Sequence, residues 1–269
     1  MEFSTRKFGV EIEFLPTVEI AAVLQEIRST GINCDWEGYN HVDHDDRWKL
    51  VSDSSCGFEL VSPVLSGEIG LRQIEAVCDA LREVGAKVDT SCGLHVHVDA
   101  RDLSEKEVAK VFIAYSRYEP LFDALLPVSR RGNLNRFCLS IKDAVSLAAD
   151  YANNLQHTYR RQYGTRYLKV NLESLIVHGS IEFRQHSGTL NSEKITNWVV
   201  LMIGFVEEII KYRMATKQPV MTLASFKTLY GIKSNSPDNR IAILADYLTK
   251  RLWDMSKLRP NQTIGAPIH

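Results

Sequence analysis

The chain has 269 residues, is 45% hydrophobic and 24% charged, and carries a net charge of -1 at pH 7. That is enough length and apolar content for a sizeable core, and the near-neutral balance excludes a global basic field for nucleic acid. Five cysteines, an odd number without a C-x-x-C pair, argue against a disulfide framework and for a reducing compartment. With no apolar leader visible, and with the most apolar helix candidate interrupted by Glu207 and Glu208, the sequence reads as cytoplasmic and free of membrane contact.

Taken in chain order, alternating apolar residues predict a strand over 7–14, ended by Pro16. Val18, Ile20, Val23, Leu24 and Ile27 follow at helical spacing up to Gly31, and 41–46 is a polar loop. Strands over 48–51 and 58–61 flank a turn at 53–57, and a helix fits 69–84, closed by Gly85. A short strand at 87–89 precedes a longer one at 94–98. Ser104 and Glu107 form a capping-box pattern opening a helix, which Pro120 is expected to kink or break. A basic loop at 129–133, a weaker helix at 143–151 and an arginine- and tyrosine-rich stretch at 159–167 come next. Strands at 170–172 and 181–185 precede a helix capped by Ser192 and carried by Ile195, Trp198, Met202 and Phe205. The region 222–252 reads as helical and 259–269 as loose.

Alternating rather than wholly apolar strands, separated by helices, indicate an α+β fold. The expected sheet is mainly antiparallel, with helices packed on one face and the other face open to ligands. The expectation is one domain over 1–269, with a helical C-terminal portion from about 192.

Three strands share a chemical pattern. Residues two apart lie on one face of a strand. In Gly9-Val10-Glu11-Ile12-Glu13-Phe14, in Gly93-Leu94-His95-Val96-His97-Val98-Asp99 and in Ser180-Ile181-Glu182-Phe183-Arg184-Gln185-His186, one face is apolar. The other carries Glu11 and Glu13, then His95, His97 and Asp99, then Glu182, Arg184 and His186. Each piece alone has an ordinary reading: two acids on a half-exposed strand, a surface histidine pair, a cross-strand ion pair. Brought to one face, they suit hard cations such as magnesium or manganese and a phosphate-gripping arginine. Glu59, between Phe58 and Leu60, continues the pattern. Asp53 either shapes its turn or joins the site. Cys92 is structural, because no second cysteine has ligand spacing. Phosphate-loop, dinucleotide-binding and hydrolase-elbow glycine motifs are all absent.

In order, Phe8-Gly9-Val10-Glu11-Ile12-Glu13, Trp48 with Asp53, Phe58-Glu59-Leu60-Val61-Ser62-Pro63 and Gly93-Leu94-His95-Val96-His97-Val98 resemble the amidoligase family of the glutamine synthetase and glutamate–cysteine ligase superfamily. Ser129-Arg130-Arg131, Asn135-Arg136-Phe137-Cys138, Arg166-Tyr167, Asn171-Leu172 and Ile181-Glu182-Phe183-Arg184 continue the match. The resemblance implies a glutamine synthetase-like catalytic fold and an ATP-dependent carboxylate–amine ligase working through an acyl phosphate with Mg2+ or Mn2+. By the same resemblance Glu11, Glu13, Glu59, His95 and Glu182 are metal positions, and Arg184, Glu182 and His95 are catalytic. His97, Asp53, Arg130, Arg131, Arg166, Tyr167, Asn171 and Arg184 are then nucleotide- or substrate-binding positions. The partners are ATP, a carboxylate and an amine (small molecule, peptide or protein). A metal-dependent hydrolase or phosphodiesterase is the competing enzyme, and a silent nucleotide- or nucleic-acid-binding protein the competing non-enzyme. Neither substrate nor oligomeric state is fixed by the sequence.

Overall fold

The computed structural model describes residues 4–39, 46–142, 166–211 and 239–257. The expected features at 41–45, 143–151, 159–165, 222–238 and 259–269 lie outside the described residues. The elements are β1 (Phe8–Phe14), α1 (Ile20–Ser29), β2 (Cys34–Trp36), β3 (Trp48–Asp53), β4 (Gly57–Val61), α2 (Gly67–Glu83), β5 (Gly93–Asp99), α3 (Glu105–Ala124), β6 (Val170–Asn171), α4 (Ser174–Val177), β7 (Ser180–Ser187), α5 (Ser192–Lys211) and α6 (Asn239–Lys257).

The strands form one seven-stranded sheet in the order β2-β3-β4-β1-β5-β7-β6. β2 pairs with β3 in parallel and every other pair is antiparallel, so the expected α+β class holds. The apolar face follows from period-two patterning. Phe8, Val10, Ile12 and Phe14 of β1, with Leu94, Val96 and Val98 of β5, are buried against helices. Each such side chain contributes roughly 1.5–3 kcal/mol by leaving water. α5 lies at the centre of the helical layer and packs on α2, α3, α6 and β5. Its Trp198 and Phe205 close an aromatic cluster with Tyr115, Phe122 and Phe183. The apolar stripe around Trp198 is therefore core. No helix among the described residues is long and apolar enough to cross a membrane.

Several local expectations change. The capping box at Ser104 and Glu107 forms as read, but α3 continues through Pro120 because Phe112, Tyr115, Leu121 and Phe122 bury on both sides of it. The 87–89 segment makes only a single bridge, Lys87 with Leu15, and is not a strand. Asn191 rather than Ser192 caps α5, its Oδ1 accepting the Lys194 N–H at 2.9 Å. β2 has no counterpart in the sequence reading: its three residues are too few to show a period.

Candidate active site

The open face gathers its acids by register. Glu11 stands opposite His95, Glu13 opposite Glu59, and His97 opposite Glu182. The His95 ring therefore sits among four carboxylates. Its Nδ1 lies 2.7 Å from Glu11, 3.7 Å from Glu182 and 3.9 Å from Glu59, and its Nε2 lies 3.5 Å from Glu13. Two overlapping donor sets result, Glu11–His95–Glu182 and Glu13–Glu59–His95, each with ligand atoms within 4.8 Å of one another. His95, Glu13 and Glu182 are buried, so water does little to screen these charges.

The electrostatic consequences differ from acid to acid. Burial, with the charges of Glu11, Glu13 and Asp53 added, pushes the Glu59 carboxyl well above the usual range. Burial also opposes ionisation of Glu11, but hydrogen bonds from His95 and His97 outweigh it and hold that carboxyl well below its usual range. Burial opposes ionisation of Glu182 too, but Arg184, His97 and His95 together outweigh it and lower that carboxyl as well. The His97 imidazole is raised, its contact with Glu11 prevailing over burial. The His97 ring is held from both sides, by Glu11 at 3.2 Å on Nε2 and by Ser180 at 2.9 Å on Nδ1.

The cations form the other half of the site. Arg184 is buried and donates through Nη1 to Glu182, while its buried Nε has no hydrogen-bond partner among the described residues. Asn171 donates to the second Glu182 oxygen at 2.6 Å. Arg130, also buried, donates to the Cys92 carbonyl. A cleft of about 340 Å³ brings together Glu11, Glu13, Asp53, Glu59, His95, His97, Arg130, Arg166, Tyr167, Asn171, Glu182 and Arg184. Gly93 completes its floor: its N–H donates to Glu13 at 2.5 Å, and a Cβ there would lie 3.0 Å from the His95 ring.

Three expected placements are corrected. Arg131 does not line the cleft; its Nε donates to the Leu126 carbonyl at 2.9 Å, so it closes its own loop. His186 is not on the open face. The register shifts between Leu94 and Val96, so His186 falls opposite the inward-facing Leu94 and packs on Trp198. Burial beside Arg251 lowers its imidazole pKa to about 3. The cysteine count misled as well: Cys56 and Cys92 form a disulfide, which removes the cysteine argument for a reducing compartment. Cys92 is structural, as expected, but through a bond that spacing did not reveal. Asp53 lines the cleft and also shapes its turn, accepting the Ser55 and Cys56 N–H groups at 2.7 and 2.8 Å.

Sequence reasoning missed Ser174, Ser180 and His178, which surround His97, and the Phe137 ring that meets Tyr167 edge-on at 5.4 Å. Serines and a loop histidine carry no spacing signal. Phe137 lay inside a quoted motif, but nothing marked it as part of a cleft wall.

An acid-rich cage thus stands beside buried arginines on one face of a mainly antiparallel sheet. The Amidoligase_2 model, described as "Putative amidoligase enzyme", matches residues 4–206, and the chain belongs to that family. Among solved structures, one described as a "novel glutamine synthase homolog" is similar at 12% identity and a TM-score of 0.44, over 93% of this chain. This chain spans 65% of the length of that structure. No curated protein matches it.

Proposed function

We propose that the chain is an ATP-dependent carboxylate–amine ligase that makes a peptide or isopeptide bond through an acyl phosphate. The observation that carries this reading is the surplus of negative charge around His95, with the unpartnered Nε of Arg184 beside it. Four buried or half-buried carboxylates facing two imidazoles and one guanidinium call for added cations, and the orphaned donor calls for an anionic oxygen. The donor chemistry fits Mg2+ or Mn2+, which at Glu11, Glu13, Glu59, His95 and Glu182 would neutralise phosphoryl oxygens.

The remaining work falls to this chain's own side chains. Glu11 accepts from His95 Nδ1, which fixes the ring's tautomer and leaves Nε2 toward Glu13. Arg184 keeps one edge on Glu182 and offers Nε to the oxygens on which charge grows during transfer. Arg130 and Arg166 would hold the rest of the triphosphate, with Tyr167 and Phe137 as aromatic surface beside it. The substrate carboxylate attacks the γ-phosphorus and ADP leaves. The amine then attacks the acyl carbon, phosphate departs and the amine gives up a proton. No side-chain nucleophile is needed.

The test is chromatographic analysis of nucleotides after incubation with ATP, Mn2+ and a panel of carboxylates and amines. Substrate-dependent ADP and phosphate support the ligase. AMP with pyrophosphate, or hydrolysis of a phosphodiester panel without ATP, overturns it, as does the absence of all nucleotide turnover.

A further inference from the structure

The open face does not end at the cage. Along β1, Glu13, Glu11, Gly9 and Lys7 follow one another on the same side, and along β5 so do His95, His97 and Asp99. A second cavity, of about 90 Å³, occupies this continuation. Glu11, His97 and His178 line both cavities and form the partition between them. Val61, Pro63 and Val64 make one apolar wall. At the far end stand Asp99, Arg101 and Lys7, and the Lys7 side chain has no partner among the described residues.

We infer that this second cavity seats the amine substrate, and that the amine is an amino acid or dipeptide whose own carboxylate is held by Lys7 and Arg101. The inference rests on the ligase reading above. Charge decides which substrate enters. The cage end presents the Glu11 oxygens between His95 and His97, acceptors for an amine N–H but not partners for a second carboxylate. Arg130, Arg166 and Arg184, the cations suited to a carboxylate or phosphate near the cage, all belong to the larger cleft. The far end reverses the sign, since two cations face one acid there. Size decides the rest. At about 90 Å³ the cavity is about a quarter of the 340 Å³ cleft, so it takes the smaller reactant. Lys7 and Glu11 are about 13 Å apart along the strand. An extended dipeptide spans about 7 Å of that, and the lysine side chain covers much of the remainder.

Gly9 gives the means to test this. A Cβ at Gly9 would meet Ser62 Oγ at 3.5 Å and His97 Cβ at 3.7 Å, ordinary contacts, so a β-carbon is accommodated and a side chain extending from it enters the cavity that Gly9 lines. Titration calorimetry of the full chain, with Mn2+ and ADP present, would compare glycylglycine and glycyl-L-alanine with their C-terminal amides. We expect the free peptides to bind at least tenfold more tightly than the amides. Lys7→Ala with Arg101→Ala should abolish that preference, and Gly9→Val should abolish peptide binding. Both variants should bind Mn2+ and ADP as the parent does. Parent protein that binds Mn2+ and ADP but none of the peptides overturns the inference and leaves the ligase reading standing. So does peptide binding that Gly9→Val leaves unchanged. Failure of Mn2+ and ADP to bind the parent overturns the ligase reading instead, and with it the assignment of this cavity.

Discussion

Two clusters of buried charge lie on opposite faces of the same sheet, and they are built on different terms. On the helical side, Lys169 Nζ meets Glu119 at 2.9 Å and Asp123 at 2.7 Å. The remaining oxygens are also served: Ile141 N–H donates to Glu119, and Gly132 N–H and the Gln185 amide donate to Asp123. Tyr115 in turn donates to Gln185 at 2.6 Å. This cluster is complete by itself, and it anchors the loop that carries Arg130 to α3. On the open side, four carboxylates share His95, His97 and Arg184, one carboxyl is driven toward its neutral form, and a guanidinium N–H goes unanswered. Burial alone therefore does not mark a functional site. The mark is a group of charges whose partners are missing from the chain.

If that contrast is right, removing a member has opposite consequences in the two places. The largest effect belongs to the open side. Arg184→Ala is expected to lower ATP turnover by about 10³-fold or more, on the scale of a lost transition-state arginine. Glu13→Gln should do the same while keeping the acceptor for the Gly93 N–H, so its melting temperature should stay at or above that of the metal-free parent. Steady-state ADP release and thermal denaturation measure the two quantities. On the helical side, Lys169→Met would leave two acids buried without their cation, a loss of about 3–5 kcal/mol in urea unfolding. A Lys169→Met protein as stable as the parent would erase the distinction.

How much of this was legible in the sequence follows from the physics of each feature. The two faces were readable because strand periodicity is local: Glu11, Glu13, His95, His97, Glu59 and Glu182 needed only the count of two. His186 was misread for the same reason, since one bulge, invisible in the sequence, reverses every later residue of the strand. Arg130 and Arg131 are adjacent and chemically identical, and only the fold turns one into the cleft and the other back to Leu126. Glu119 and Asp123 are four apart on α3, and nothing local announces that Lys169 arrives between them. The disulfide joins residues 36 apart, and cysteine spacing does not encode which loops the sheet will bring together.

That disulfide sharpens the comparison, because it supplies a covalent tie on the side whose ions do not balance. It links the β3–β4 turn to the start of β5, across the end of β1, and so holds Glu59 against Glu13 and His95. Closing a loop of 36 residues stabilises the folded chain by about 3–4 kcal/mol in the chain-entropy view. Unfolding with and without a dithiol reductant should show a loss of that order. The Cys56→Ser, Cys92→Ser double variant should match the reduced parent and be insensitive to reductant. Saturating Mn2+ should recover part of the loss by linking the same strands.

The smallest effect is the most specific, because it depends on the sign of one shift. In the metal-free chain the Glu59 carboxyl titrates above the ordinary carboxylate range, driven there by burial and by Glu11 and Glu13. Between those pH values the folded chain keeps a proton that the unfolded chain has released. Stability from this group is therefore full in acid and is lost as pH rises through the folded value. Glu11 and Glu182 act in the other direction and in another window. Their lowered values give stability that is present above the ordinary carboxylate range and lost as pH falls below it. A melting-temperature profile should consequently fall at both ends. The raised His97 imidazole adds its own loss as pH climbs, so Glu59→Gln should leave the acid slope as it is and flatten the upper slope in part. Mn2+ should flatten it too, since a bound cation replaces the proton, and its affinity for the parent should rise with pH across that window. An upper slope that neither Glu59→Gln nor saturating Mn2+ reduces would show that the chain satisfies the open cluster after all, as it does the acids around Lys169.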